Sequence, residues 1–355
     1  MARLELDHVT VEAPDATRLL DDASLTVDDG RRAVILGASG AGKTTLLRTV
    51  AGVLDVTEGR LLLDGREVTR TPPRERDVAL VSQQGSLQPH LDVRGDLGFA
   101  LRLRRVARGE VASRVDAEAS AFALRHLLRR RPRQLSAGER HEVALARSLV
   151  RRCAVLLLDE PFARIDAGRR AALRRELARV QEGYAVTTLR TTNDPETALR
   201  FAQDVIVLDA GRVLQAGALE DVVERPATRQ VAELLLLPSP QVLSGRLEGR
   251  GPSRRLVAGP VVVPAPHLPV ELPTRVEMVV RPTDLAVVPD GPARVRDHTF
   301  LGHELDLTVV AAGVAVRVRV PRPAPAVGAR VRVTADPARI HLFDPATGHA
   351  LLHGW

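Results

Sequence analysis

Along the first part of the chain, short apolar segments alternate with segments in which hydrophobic residues recur at helical spacing. The short apolar runs within 31–37 (RRAVILG) and 154–160 (AVLLLDE) are typical of buried strands. The segments at 44–52 (TTLLRTVAG) and 169–183 (RRAALRRELARVQEG) have helical spacing and end at a glycine. Residues 205–217 (VIVLDAGRVLQAG) predict a hairpin. Strands that alternate with helices in this way predict an α/β fold with a largely parallel sheet covered on both faces.

Beyond residue 240 the pattern becomes that of a β protein. Short valine-rich segments with a period of two follow one another, and glycine and 14 of the 24 prolines separate them. These segments are VVVPAP, RVEMVVRP, LDLTVV, VAVRVRV and ARVRVTA. They predict a small all-β barrel or sandwich. With PSP at 238–240 as the boundary, we expect one domain over 1–237 and a second over 241–355.

Composition and charge narrow the class of protein a little further. The chain has 355 residues, of which 45% are apolar and 27% charged, as expected for a soluble globular protein. No apolar run approaches the ~20 residues that span a bilayer, the first residues lack a signal-peptide layout, and Cys153 is the only cysteine. These features favour the cytosol. The net charge of +7 is spread along the chain and does not indicate a separate nucleic-acid-binding module.

A glycine-rich stretch, GASGAGKTT at 37–45, holds Lys43, which is the only lysine among 51 Lys and Arg residues. The stretch fits the motif G-x-x-x-x-G-K-[ST], and it stands between a predicted strand and a predicted helix, as that motif requires. Its glycines let backbone N–H groups close around phosphate oxygens, and the following helix adds its positive end. We expect Lys43 to reach the β- and γ-phosphates, because a planar guanidinium does not reproduce its compact ammonium.

The nucleotide-binding residues predicted from this stretch are Gly37, Ser39, Gly40, Gly42, Lys43, Thr44 and Thr45. The hydroxyl of Thr44 is expected to bind Mg²⁺. A second element, the strand at 154–160, ends in two carboxylates. We expect Asp159 to hold Mg²⁺ through water and Glu160 to accept a proton from the water that attacks the γ-phosphate.

Taken together, these motifs resemble the ATP-binding subunits of ABC transporters. QLSAGERHEVALARSLV at 134–150 resembles the signature segment of that family, and the segment at 81–104, with Gln83, resembles its Q-loop. The resemblance is closest to importers of carbohydrates, of the maltose and glycerol-phosphate type. The segments that carry it are PPRERDVALVSQ and VVERPATRQVAELL. VRPTDLAV, FLGHELDL and ARIHLFDPATGHAL resemble the regulatory TOBE domain.

This resemblance implies a P-loop ATPase domain, with a helical subdomain at about 88–150, followed by an OB-like TOBE domain. It implies ATP and Mg²⁺ as ligands, with Gln83 contacting Mg²⁺ and Asp166 in the D-loop. Ser136 and Gly138 would bind the γ-phosphate held by the facing subunit. The implied partners are a second ATP-binding subunit, two polytopic membrane permease subunits and, indirectly, an extracytoplasmic solute-binding protein, with no nucleic acid. The implied location is peripheral, on the cytoplasmic face of the cell membrane.

The chain departs from the family pattern at several positions. Asn193 stands at the position of the switch histidine, and an amide can donate a hydrogen bond but cannot become a cation. The position of the adenine-stacking aromatic corresponds to about Ala13, and the signature reads LSAGE, with Ala137 and Glu139. We expect a slow ATPase whose catalytic residues are Glu160, Asn193 and Gln83.

Several alternatives stay open at the level of sequence. The chain resembles importers of ferric iron or polyamines as well, because those families share the C-terminal domain. A catalytically degenerate ATP-binding partner in a heterodimer is a second alternative, given the loss of the switch histidine. A soluble ABC protein that acts on nucleic acid is a third, but such proteins usually carry two ATPase units or long coiled insertions.

Overall fold

The computed structural model describes residues 2–82, 87–162, 168, 174–175, 177–179, 183, 186–269 and 271–355. The chain divides into two compact units, Met1–Ala218 and Leu219–Trp355. The predicted helix at 169–183 lies largely outside the described residues. None of the helices in the described ranges is both long enough and apolar enough to cross a membrane.

The first unit combines strands and helices. Its strands are β1 Leu4–Glu12, β2 Arg18–Val27, β3 Arg32–Leu36, β4 Glu58–Leu63, β5 Arg66–Glu67, β6 Val78–Val81, β7 Val155–Leu158, β8 Thr187–Thr192, β9 Asp204–Asp209 and β10 Arg212–Ala218. Its helices are α1 Lys43–Val50, α2 Val93–Leu103, α3 Arg108–Ala121, α4 Ala137–Val150 and α5 Pro195–Phe201.

The central sheet of this unit is largely parallel, as predicted. Among the described residues, six strands form it in the order β10-β9-β3-β8-β7-β6. All neighbouring pairs are parallel except β9 with β10, which form the predicted antiparallel hairpin. The carboxyl ends of parallel strands share one edge of a sheet, where ligands usually bind. Strands β3, β7 and β8 therefore bring the segments that follow them to the same edge.

Strand β7 contains no polar residue because both of its faces are buried. Leu156 and Leu158 pack into a core with helices α2, α3 and α4. Val155 and Leu157 point to the opposite face, where they pack with α1 and with strand β1. All four side chains are fully buried. A strand that is covered on both faces reads as a continuous apolar run.

An antiparallel sheet, which the sequence analysis did not predict, lies in the same unit. Its order is β2-β1-β4-β5. Leu4, Leu6 and Val9 of β1 bury one face of it in the core that contains α1. This sheet supports the helix that follows the glycine-rich loop.

A buried arginine completes the packing around α1. The Arg76 side chain is only 3% exposed. Its guanidinium donates to the carbonyl oxygens of Thr49 at 2.8 Å and Val50 at 2.9 Å, near the end of α1. It also donates to those of Thr69 at 3.0 Å and Thr71 at 2.7 Å. The side chain therefore adds hydrogen-bond donors at the end of α1, where the Thr49 carbonyl oxygen also accepts from the N–H of Gly52 at 3.0 Å.

The second unit is dominated by strands. They are β11 Gln241–Glu248, β12 Arg255–Ala258, β13 Val261–Pro264, β14 Arg275–Val280, β15 Leu285–Phe300, β16 Glu304–Ala311, β17 Val314–Pro321, β18 Arg330–Ala335, β19 His341–Phe343 and β20 Ala350–His353. They follow the order β17-β16-β15-β18-β13-β12-β11-β14-β19-β20. In β17, Val316 and Val318 are buried and Arg317 is exposed, which is the predicted period of two. The expectation of a β-rich C-terminal domain is confirmed.

Two short helices, α6 Leu219–Glu224 and α7 Arg229–Leu235, belong to the second compact unit. The units therefore divide before the boundary that proline content predicted at 238–240. The reason is packing across the sequence. Ala232 and Leu236 form a small core with Val279 and Phe343. The local hydrophobic pattern of this segment resembles that of the preceding helices, so it does not predict this contact.

We predict that Arg76→Met lowers the free energy of unfolding of the first unit by about 3 kcal/mol, because it removes hydrogen-bond donors from buried carbonyl oxygens. Arg74→Met is the matched control, since the Arg74 side chain is 85% exposed. Denaturant unfolding followed by far-UV circular dichroism, with hydrogen exchange of α1, measures the difference. Equal stability of the two variants would show that Arg76 does not support α1.

Candidate functional site

The loop between β3 and α1 has a backbone that only glycine accommodates at two positions. A Cβ atom at Gly37 would lie 2.2 Å from the carbonyl oxygen of Leu208. Gly42 has φ +101°, and a Cβ atom there would lie 3.1 Å from the carbonyl oxygen of Leu19. Helix α1 begins directly after Gly42, which is its N-cap residue. The loop is therefore held against neighbouring backbone while the N–H groups of the first helical turn point out of the helix.

Lys43 lies at the first position of α1 and is 7% exposed. Its Nζ donates to the carbonyl oxygens of Gly37 at 2.9 Å and Ala38 at 2.7 Å. An ammonium carries three N–H donors, so one is left for a further acceptor. Burial lowers the pKa of Lys43, and the charges of Glu160 and Asp159 oppose that shift. The side chain thus presents a positive charge inside the loop.

A hydrogen-bond network joins α1 to the ends of β7 and β8. The hydroxyl of Thr44 donates to Asp159, whose two carboxylate oxygens lie 3.0 Å from it. The hydroxyl of Thr191 lies 2.9 Å from Asp159 Oδ1 on the other side. Asp159 is 7% exposed, so these contacts fix its carboxylate. A hydroxyl and a carboxylate oxygen in this arrangement are ligands of the kind that Mg²⁺ prefers.

Glu160 follows Asp159 in a left-handed backbone conformation, with φ +44°. Its N–H donates to the Thr191 hydroxyl at 2.9 Å, which holds this turn to β8. Non-glycine residues rarely adopt this conformation, and it recurs at functional sites. The turn directs Glu160 into the same cleft as Lys43 and Thr44.

These residues surround an open cleft with a volume of about 680 Å³. Its lining consists of Thr17, Arg18, Leu19, Ser39, Gly40, Gly42, Lys43, Thr44, Thr45, Asp159, Glu160, Asn193, Ala210 and Gly211. The cleft falls within the size range of small-molecule sites. Most of the residues predicted for nucleotide and metal binding are thus brought together. Gly37 contributes its carbonyl oxygen to Lys43 but does not line the cleft.

Two parts of the lining were missed by the sequence analysis. Thr17, Arg18 and Leu19 come from the turn before and the start of β2, and Ala210 and Gly211 come from the β9–β10 turn. The β9–β10 turn contacts both neighbours, because the N–H of Gly211 donates to the carbonyl oxygen of Ala41 in the glycine-rich loop at 3.0 Å and the carbonyl oxygen of Gly211 accepts from the N–H of Asp21 in β2 at 3.0 Å. Only the three-dimensional pairing of strands reveals this side of the cleft.

Asn193 lines the cleft immediately after β8. The next residue, Asp194, caps α5 and accepts from the N–H groups of Glu196 at 3.1 Å and Thr197 at 3.2 Å. The cap fixes the position of the turn that carries Asn193. Asn193 therefore lines the same cleft as Glu160.

Ser136 and Gly138 do not line this cleft. Ser136 is the exposed N-cap of α4, and its hydroxyl accepts from the N–H of Glu139 at 3.2 Å. Glu139 reciprocates by accepting from the N–H of Ser136 at 2.7 Å. This capping box gives the Glu139 carboxylate a structural partner. Gln83 and Asp166 lie outside the described residues.

Two protein-family models match this chain, and relatives are similar to it over nearly its full length. The ABC transporter family model matches residues 20–163, and the TOBE domain model matches residues 278–343. The sn-glycerol-3-phosphate import ATP-binding protein UgpC of Chromobacterium violaceum is 35% identical over 99% of this chain and 97% of its own. UgpC 2 of Agrobacterium fabrum is 33% identical over 98% of this chain and 94% of its own.

Solved structures share the fold of about three fifths of this chain. The ATP-binding cassette MJ0796, in a dimeric post-hydrolysis state bound to ADP and Pi, has a TM-score of 0.56 at 24% identity. It covers 61% of this chain and 98% of its own. The cbiO1 protein of Clostridium perfringens, part of the ABC transporter complex cbiONQ, has a TM-score of 0.56 at 27% identity, with coverage of 62% and 89%.

We predict that Lys43→Arg weakens binding of Mg-ATP about ten- to hundredfold, because a bulkier guanidinium cannot keep both loop contacts and reach a phosphate. Arg48→Lys is the matched control, since it makes the reverse exchange at an exposed position of the same helix. Titration with a fluorescent ATP analogue measures both affinities. If Lys43→Arg binds as tightly as Arg48→Lys, the ammonium has no special role.

Proposed function

Because this chain belongs to the family of ABC transporter ATP-binding proteins, we propose that it is the ATP-hydrolysing subunit of a bacterial importer for a carbohydrate or a related solute. The observation that carries this proposal is the convergence of Lys43, the Thr44–Asp159 contact and Glu160 in one cleft. Relatives similar over nearly the full length of the chain are named for import of sn-glycerol-3-phosphate. We therefore propose a sugar, polyol or polyol phosphate as the solute.

In this proposal the glycine-rich loop binds the phosphates of ATP. Backbone N–H groups from Ser39 to Thr45 contact phosphate oxygens, and Lys43 turns its remaining N–H toward the β- and γ-phosphates. Thr44 and Asp159 would hold Mg²⁺, together with Gln83. Bound Mg²⁺ would neutralise charge on the phosphate oxygens.

Hydrolysis then depends on two residues at the edge of the cleft. Glu160 accepts a proton from the water that attacks the γ-phosphorus, and the bond to the β-phosphate oxygen breaks to give ADP and phosphate. Asn193 donates an amide hydrogen bond to a γ-phosphate oxygen and stays neutral throughout. Because no positive charge develops there, we propose that turnover is slow.

The second half of the nucleotide site comes from another subunit. Ser136 and Gly138 are at the accessible N-terminus of α4, which is suited to receive the γ-phosphate bound by a facing copy or homologue. We propose that the resulting pair docks on two membrane permease subunits at the cytoplasmic face of the membrane. An extracytoplasmic solute-binding protein would act through those permeases, and nucleic acid would have no part.

We predict that Glu160→Gln lowers ATP turnover by about 10²–10³-fold, because it removes the proton acceptor while leaving the phosphate contacts in place. Affinity for Mg-ATP should change little. Glu58→Gln, at an exposed position of β4, is the control for the loss of one carboxylate. Steady-state phosphate release and nucleotide titration of the purified protein separate turnover from binding.

Phosphate release that persists in Glu160→Gln at the wild-type rate would reject the assignment of Glu160. Absence of turnover in the wild-type protein, together with tight Mg-ATP binding, would favour a degenerate subunit that relies on a catalytic partner.

We predict that Asn193→His raises turnover and adds a pH dependence that the wild-type protein lacks. An unperturbed imidazole titrates near pH 6.5, so the extra rate should change across about pH 5.5–7.5 in the variant alone. Asn193→Asp, which is nearly isosteric but anionic, should instead lower turnover. A pH–rate profile of the three proteins tests this, and identical profiles would place the side chain away from the γ-phosphate.

A further inference from the structure

The second unit contains a cavity that the ATPase motifs do not use. Its volume is about 530 Å³. It lies between the segment that includes α6 and the strands β19 and β20. Its charged and titratable lining residues, among those that the structure describes, are Glu224, Arg225, Arg281, Arg339, His341 and His353. Cavities of this size accommodate small organic molecules.

The charge of this lining is unbalanced. Within the described part of the chain, three arginines face the cavity against a single glutamate, Glu224. Asp284 holds one of the three, Arg281, with oxygens 2.6 and 3.1 Å from its guanidinium nitrogens. Arg225 and Arg339 are exposed at the rim. The cavity is therefore polar, positively charged and open to a soluble ligand.

Two histidines form the inner wall of the cavity. The Nδ1 atoms of His341 and His353 lie 3.1 Å apart across the β19–β20 pair. One ring must donate and the other accept, so the pair needs at least one neutral imidazole. Burial, His353 and Arg281 lower the pKa of His341 to about 4, although Asp284 opposes the shift. Burial and Arg225 also lower the pKa of His353. Both rings are thus neutral at pH 7.

We propose that this cavity binds a small dianion of the phosphate or phosphate-monoester class, with Arg225 and Arg339 as its charged contacts and the histidine pair as its inner wall. Guanidinium groups bind phosphate oxygens through two parallel N–H donors. The cavity is larger than inorganic phosphate, so a monoester with a small organic group fits its volume better. The site lies in the second unit and is independent of the proposed ATPase chemistry.

Binding of a dianion is coupled to proton uptake. The groups that face the two rings are Arg225, Arg281 and Arg339, with Glu224 and Asp284 as the nearby acids. A bound dianion adds negative charge, which favours the imidazolium form and raises the pKa of the histidines. Because the pKa of His341 without ligand is about 4, any rise caused by the bound dianion makes the affinity increase as the pH falls from 7 toward that value. Binding of a ligand that stays a dianion, such as sulfate, therefore strengthens as the pH falls, whereas a phosphate monoester takes up its own second proton at about pH 6.

The chain carries its own reporter for this site. Trp355 is the only tryptophan, and it follows Gly354, which lines the cavity. Its ring packs on the core of the second unit and donates to the carbonyl oxygen of Pro264 at 3.3 Å. Tryptophan fluorescence therefore monitors this part of the second unit.

The test titrates the full-length protein with sulfate, which stays a dianion from pH 5 to pH 8, and with methyl phosphate. We expect a saturable change in Trp355 fluorescence and a rise in the pKa of His341 and His353, followed by NMR. Assignment of the two imidazole signals comes from His341→Gln and His353→Gln. Arg339→Gln should weaken binding about tenfold. Arg332→Gln, an exposed arginine of β18 away from the cavity, should bind as the wild type does.

The variant Lys43→Ala distinguishes anion binding at this cavity from anion binding at the glycine-rich loop. The fluorescence change should survive Lys43→Ala, and a change that disappears would assign the anion to the loop and overturn the proposal. Absence of any saturable change with either anion would overturn it as well. Equal weakening by Arg339→Gln and Arg332→Gln would show only nonspecific charge and reject the cavity as the site.

Discussion

The hydrogen bonds between the Thr44 hydroxyl and the Asp159 carboxylate are the contact on which the rest of the candidate site depends. They join the start of α1 to the end of β7, two elements that are far apart in sequence. A hydrogen bond to a charged group is worth about 1.5–3 kcal/mol when buried. Thr191 holds the same carboxylate from β8 and also receives the N–H of Glu160. One network therefore sets the distance between the phosphate-binding loop and the proposed proton acceptor.

The network is possible because the central sheet is parallel. Strands β3, β7 and β8 are neighbours that end at the same edge, so their following segments converge. Around this edge Lys43 keeps a positive charge beside the glycine-rich loop, and the residue at position 193 is an asparagine, which does not titrate. In the proposed mechanism, charge at the developing transition state would come from Lys43, from Mg²⁺ and from the facing subunit. This balance is the physical basis for proposing a slow enzyme.

Local sequence patterns predicted those parts of the molecule that are formed by consecutive residues. The glycine-rich loop, the apolar run of β7 and the β9–β10 hairpin all follow from spacing, and the α/β class was confirmed. Contacts between distant segments could not be predicted in this way. The antiparallel sheet with β1, the Arg76 contacts with α1 and the left-handed turn at Glu160 all depend on tertiary pairing. The same holds for α7, whose helical pattern does not say which unit it packs on.

The most direct test of the account is isothermal titration calorimetry of the intact protein with ATP, with and without Mg²⁺. The account predicts saturable binding of one ATP per chain, tightened by Mg²⁺, because the loop, Lys43 and the Thr44–Asp159 pair act on the same phosphates. Titrations at two temperatures guard against a binding enthalpy that happens to be zero. A folded protein that gives no binding heat at either temperature would contradict the central claim.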